Sequence, residues 1–106
     1  VKKMPGDSIR NVLVDVYAER AKQDDRWGEQ NHPDGTNLTE DEWRANRVKA
    51  LNDFYVDSGT LTWRDILLEE VYEAFAESDL DRLREELVQV AAVAVCWVES
   101  IDRRRA

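Results

Sequence analysis

Cysteine occurs once in the 106 residues, as Cys96, so no disulfide can close within the chain. That usage suits a reducing compartment. The apolar neighbours of Cys96 mark it as a small core residue rather than a nucleophile. Long apolar runs are missing as well. The longest covers nine residues, 90–98, against about 20 for a membrane-spanning helix. The opening VKKMPGDSIR lacks the apolar centre of a secretory signal. These absences predict a cytoplasmic protein with no membrane contact. Cations are outnumbered: 15 Lys and Arg stand against 23 Asp and Glu, for a net charge of −8. An acidic surface repels a phosphate backbone, which argues against a nucleic-acid partner. The basic run Arg103, Arg104 and Arg105 reads as cations complementing a helix C-terminus. There is no G-x-x-x-x-G-K-[ST] phosphate loop. Arg84-Glu85-Glu86 has the look of a Nudix box without its glycines. A Ser/His/Asp triad would depend on the single histidine, His32, within a loop.

The periodicity that is present is helical. Residues 1–7, with Pro5 and Gly6, read as a loose lead-in. Asp7 or Ser8 can cap a first helix over about 8–26, in which Ile9, Val12, Leu13, Val16 and Tyr17 follow the amphipathic spacing. A loop over 27–38 follows, with Pro33-Asp34-Gly35 as a turn signal. A connection that long in a small domain is often functional. Thr39 and Glu42 have capping-box spacing before a second helix over about 40–57, with Trp43, Val48, Leu51 and Tyr55 facing inward and Ser58-Gly59 at its end. Thr62 and Asp65 open a third helix over about 62–77, and a fourth covers about 80–104. With no alternating β pattern and no repeat, the expectation is an all-α, four-helix bundle-like single domain over residues 1–106. Residues 90–98 are apolar on every face of the fourth helix, and Ala91, Ala92 and Ala94 permit close approach. A helix apolar all round is buried all round, so this helix is expected to complete its burial in a homodimer or homotetramer.

The informative stretch is TWRDILLEEVYEAFAESDLDRLREELVQ, residues 62–89. At about 100° per residue, Trp63, Ile66, Leu67, Val71, Ala74 and Phe75 form one apolar arc. Glu70 lies inside it, and Glu69 and Glu73 flank it. On the fourth helix Glu86 lies at the edge of the arc made by Leu83, Leu87, Val90, Ala94, Trp97 and Ile101, with Gln89 just outside. A carboxylate inside an apolar stripe is costly unless paired or metal-bound. In an antiparallel hairpin turning at Ser78-Asp79-Leu80, residues 73 and 86 stand at one level and 70 and 89 at the next. Carboxylates that close cannot all stay ionised without a compensating cation. Oxygen-only ligands suit Mg²⁺, and Mn²⁺ as a second choice. The competing reading is a solvated face neutralised by Arg64, Arg82 and Arg84.

Glu69-Glu70-x-x-Glu73, twelve residues, then Glu86-x-x-Gln89 resembles the signature of the MazG-like all-α nucleoside-triphosphate pyrophosphohydrolases, a superfamily that includes dimeric dUTPases. That signature is E-E-x-x-E, a spacer, then E-x-x-D, on two helices of a bundle. ERAKQDDRWGEQNHPDG, residues 19–35, and Thr62-Trp63 leading into Ile66-Leu67-x-Glu69-Glu70-Val71 also resemble small bacterial and phage-type members. The resemblance covers roughly residues 12–103. It implies Mg²⁺-dependent hydrolysis of a nucleoside triphosphate to the monophosphate and pyrophosphate. By the same resemblance, Glu70, Glu73 and Glu86 are metal ligands, Gln89 is a weaker fourth, and Glu69 positions or deprotonates the attacking water. Gln89 replaces the family's last acid. Its amide oxygen can ligate but brings no charge, and Glu85 is the neighbouring acid that can substitute.

For the substrate, Lys22, Arg26, Arg47 and Lys49 are the candidate phosphate contacts. Trp27 is the candidate for stacking on the base, and Gln23, Gln30 and His32 are candidates for reading its edges. The alternative is a non-catalytic, oligomeric helical interaction protein derived from the same family.

Overall fold

The computed structural model describes Met4 and residues 6–106. Among these residues the chain is all-α, as the periodicity predicts: α1 is Asp7–Trp27, α2 Asp41–Ser58, α3 Trp63–Phe75 and α4 Leu80–Arg105. Among the described residues no helix is long and apolar enough to cross a membrane. Of the expected lead-in, residues 1–3 and 5 lie outside the described residues.

The helix starts differ from the sequence reading at two of three places. α1 begins after Gly6, whose φ of 84° is left-handed, and no side chain caps it. Asp7 is already helical and accepts from the Met4 amide at 2.7 Å. The Thr39–Glu42 capping box does not form either. The N-cap of α2 is Glu40, without a side-chain bond, and Asp41 Oδ2 accepts instead from the Leu38 amide at 2.9 Å. Asp41 is thereby buried, because a carboxylate one residue into the helix can reach the backbone of the incoming loop. At α3 the expected start forms as a full capping box. The Asp65 amide donates to Thr62 Oγ1 at 3.2 Å, and the Thr62 amide donates to Asp65 Oδ2 at 3.0 Å. α2 ends at Gly59, at φ 71°, the left-handed cap a glycine supplies without a Cβ clash.

Two compact units are present: Val1–Pro33 with Val95–Ala106, and Asp34–Ala94. α4 contributes to both. In the first, Val12 and Val95 are the buried apolar residues, and Ser8 Oγ donates to Glu99 Oε2 at 2.5 Å. In the second, α2 packs along α3, and Ala74, Leu83, Asp41 and Asn52 are buried.

The inward faces expected on α1 and α2 are only partly covered. Ile9, Leu13, Val16 and Tyr17 are exposed, as are Trp43 and Leu51. Val48 and Tyr55 are half-buried. Cys96, expected in the core, is exposed.

Candidate metal centre

The site is built on the α3–α4 connection. α3 stops at Phe75, two residues before the expected end, and the Asn37 amide donates to the Phe75 carbonyl at 2.7 Å. That bond satisfies a carbonyl that a helix end leaves open. Glu77 Oε1 accepts from the amides of Ser78 and Asp79 at 3.1 and 3.2 Å. Asp79 then caps α4, accepting from the Arg82 amide at 3.0 Å. The turn therefore forms at the predicted residues, and it returns the chain so that Glu86 of α4 meets Glu70 and Glu73 of α3.

The turn brings Glu70, Glu73 and Glu86 together. One carboxylate oxygen from each lies within 4.8 Å of the others. All three side chains are half-buried. Glu70 Oε2 and Glu86 Oε2 are fully shielded from solvent and have no hydrogen-bond partner among the described residues. Among the described residues the ion pairs are Arg10–Asp7, Arg20–Asp24 and Arg44–Glu40, so no arginine neutralises the cluster. The reading in which Arg64, Arg82 and Arg84 pair with it has no bond to rest on.

The electrostatics follow. The Glu70 carboxyl is pushed above its ordinary value, first by burial and then by the charges of Glu86 and Glu69. Glu73 is pushed up by burial, then by Glu70, Glu86 and Glu69, with Lys49 of α2 pulling the other way. Buried acceptors that lack donors, in a set made only of carboxylate oxygens, fit a hard divalent cation. Lys49 acts on Glu73, but among the described residues no cation forms an ion pair with the three carboxylates.

The other predicted residues fall into three groups. Glu69 is half-buried on α3 and accepts from Asn52 Nδ2 at 3.2 Å. Gln89, one turn beyond Glu86, and Glu85 are exposed on α4, and Lys49 is exposed on α2. In the other unit, Lys22, Gln23, Arg26, Trp27 and Gln30 line a concavity of ≈ 580 Å³ together with Glu19. Trp27 belongs to α1 rather than to the loop, and the Arg26 guanidinium lies over its ring at 4.7 Å. His32 is exposed, with Nε2 3.3 Å from Gln30 Oε1.

One residue beside the carboxylates escaped the sequence reading. Asn52 of α2 is 6 % exposed, and its amide nitrogen donates to the Asp65 carbonyl at 2.8 Å as well as to Glu69. The signal was available: Asn52 lies between Val48 and Tyr55 in the inward arc of α2, as Glu70 does on α3.

No protein-family description, curated protein or solved structure matches this chain.

Proposed function

We propose that this protein is a Mg²⁺-dependent nucleoside-triphosphate pyrophosphohydrolase of the MazG-like class, working in the cytoplasm. The observation that carries the reading is the convergence of Glu70, Glu73 and Glu86 with two buried, unpartnered oxygens. The order of the acids along the chain supports it. When bound, Mg²⁺ supplies charge neutralisation for the triphosphate and polarises its P–O bonds. Glu70, Glu73 and Glu86 would hold the ion, and the Gln89 amide oxygen would be the neutral fourth donor. Glu69 orients a water and takes its proton as that water adds to the α-phosphorus. The bond from the α-phosphorus to the bridging oxygen breaks, and pyrophosphate leaves with that oxygen. Lys49 of α2, whose charge acts on Glu73, is the phosphate contact in the unit that carries the acids.

Self-association through α4 belongs to the same reading. Leu80, Leu87 and Val88 are 70 %, 50 % and 54 % exposed, and residues 90–98 are apolar on all faces. A homodimer or homotetramer would cover them. That exposed surface also favours the second reading, an interaction protein without catalysis. The two separate on turnover. Incubation with ribo-, deoxyribo- and modified nucleoside triphosphates in Mg²⁺ is expected to release pyrophosphate from at least one. Glu70→Gln and Glu73→Gln are expected to remove the release. If no nucleotide turns over and calorimetry detects no Mg²⁺ binding, the interaction reading replaces the enzymatic one.

A further inference from the structure

We infer that Asn52 is a positioning residue for Glu69, making α2 the third helix of the site. The inference rests on the hydrolase reading and adds to it a residue outside the acidic motif. Asn52 is nine-tenths buried, and both of its known contacts are acceptors: the Asp65 carbonyl and Glu69 Oε1. Only the NH₂ end of the carboxamide can serve two acceptors, so its orientation is fixed by chemistry. One hydrogen goes to each partner. Asp65 and Glu69 are four residues apart, one above the other on the same face of α3. Asn52 therefore clamps one turn of α3 from the side.

The clamp is itself held. Asp65 is locked in the capping box with Thr62, so the carbonyl that orients Asn52 belongs to the best-anchored turn of α3. Glu69 Oε1 is thereby committed, and Oε2 has no partner among the described residues. Glu69 lies close enough to act electrostatically on both Glu70 and Glu73. A free carboxylate there would swing among rotamers. The bond to Asn52 holds one oxygen and presents the other as a fixed acceptor beside the cluster, the preorganisation that a water-positioning group requires.

The test compares Asn52→Leu, close to isosteric but without donors, with Asn52→Asp, which keeps the shape and loses the NH₂. The Asp65 carbonyl keeps its partner inside α3 in both variants, and thermal melting verifies that each is folded. On the best nucleotide of the panel, both variants are expected to lose kcat by roughly 10- to 100-fold. In Asn52→Leu, which adds no charge, KM and the Mg²⁺ dissociation constant from calorimetry are expected to change by less than about 3-fold, since the ion's own ligands are untouched. In a Glu69→Ala background, Asn52→Leu is expected to add less than about 3-fold, because the group it positions is gone. A second readout needs neither metal nor substrate: the side-chain NH₂ resonances of Asn52 are expected to shift and to exchange faster with water in Glu69→Ala. Unchanged kcat in both folded variants, a full extra loss in the Glu69→Ala background, or unmoved NH₂ resonances would overturn the inference while leaving the hydrolase reading intact. An inactive wild type sinks the hydrolase reading itself, and the positioning role falls with it.

Discussion

Glu70 sits among apolar neighbours on α3 with a shielded oxygen that no described residue donates to, and its charge is opposed by those of Glu86 and Glu69. Two consequences follow at this scale. Glu70 and Glu73 are raised above the ordinary glutamate value of 4.5. Between that value and their raised values, the folded state binds more protons than the unfolded one. The free energy of unfolding therefore falls as pH rises through this window, and the stability from these groups is fully present only below it. Thermal melts in EDTA are expected to show this decline from about pH 4.5 upward. Saturating Mg²⁺ is expected to reverse it, because the ion competes with those protons. Parallel curves with and without Mg²⁺ would contradict the account. The second consequence concerns Glu70→Gln, which removes one charge from the repulsion. Relief on the order of 0.5 kcal/mol raises Tm of the metal-free protein by roughly 2–4 °C, while the increment that Mg²⁺ adds to the wild type is lost. A variant that is less stable without metal and still responds to Mg²⁺ would show that the cluster is not a cation site.

At the scale of elements, α3 carries most of the site and its first turn anchors the rest. Thr62 caps the helix, Asp65 completes the box, and the Asp65 carbonyl orients Asn52. Thr62→Ala is expected to cost about 1 kcal/mol, read as a lower denaturant midpoint with an unchanged slope. An unaltered midpoint would mean the cap is not used. Much of this hairpin was legible in the chain. The Thr62–Asp65 start, the turn at Ser78 and Asp79, and the meeting of Glu70, Glu73 and Glu86 follow from local spacing and helix period alone. The misses have physical causes. Asp7 and the Thr39–Glu42 pair satisfy cap patterns, yet a left-handed Gly6 and the Asp41–Leu38 bond took over those starts. Periodicity places residues on a face but does not say what covers it, so Trp43, Leu51 and Cys96 are exposed where burial was expected. Asn52 carries no charge to mark it in the sequence, although its buried amide lies in the same kind of inward arc.

At the scale of the whole molecule, apolar side chains outnumber the places that cover them. Leu80, Leu87 and Val88 on α4, with Phe54 and Val56 on α2, stand open to solvent. A chain of 12.3 kDa with such faces is expected to elute as a dimer or tetramer by size-exclusion with light scattering. Leu87→Glu is expected to shift it toward the single chain, and a monomeric wild type would contradict assembly through α4. The acidic balance of the chain is no obstacle to an anionic substrate if the carboxylates carry a cation, which is why the metal decides the functional reading.

The central claim is tested most directly by pyrophosphate release from a nucleotide panel, with and without Mg²⁺, for wild type and Glu73→Gln. The account predicts release that requires Mg²⁺, favours some nucleotides, and falls by on the order of 100-fold or more in the variant. Release that is indifferent to Mg²⁺ or to Glu73, or no release from any nucleotide, would contradict it.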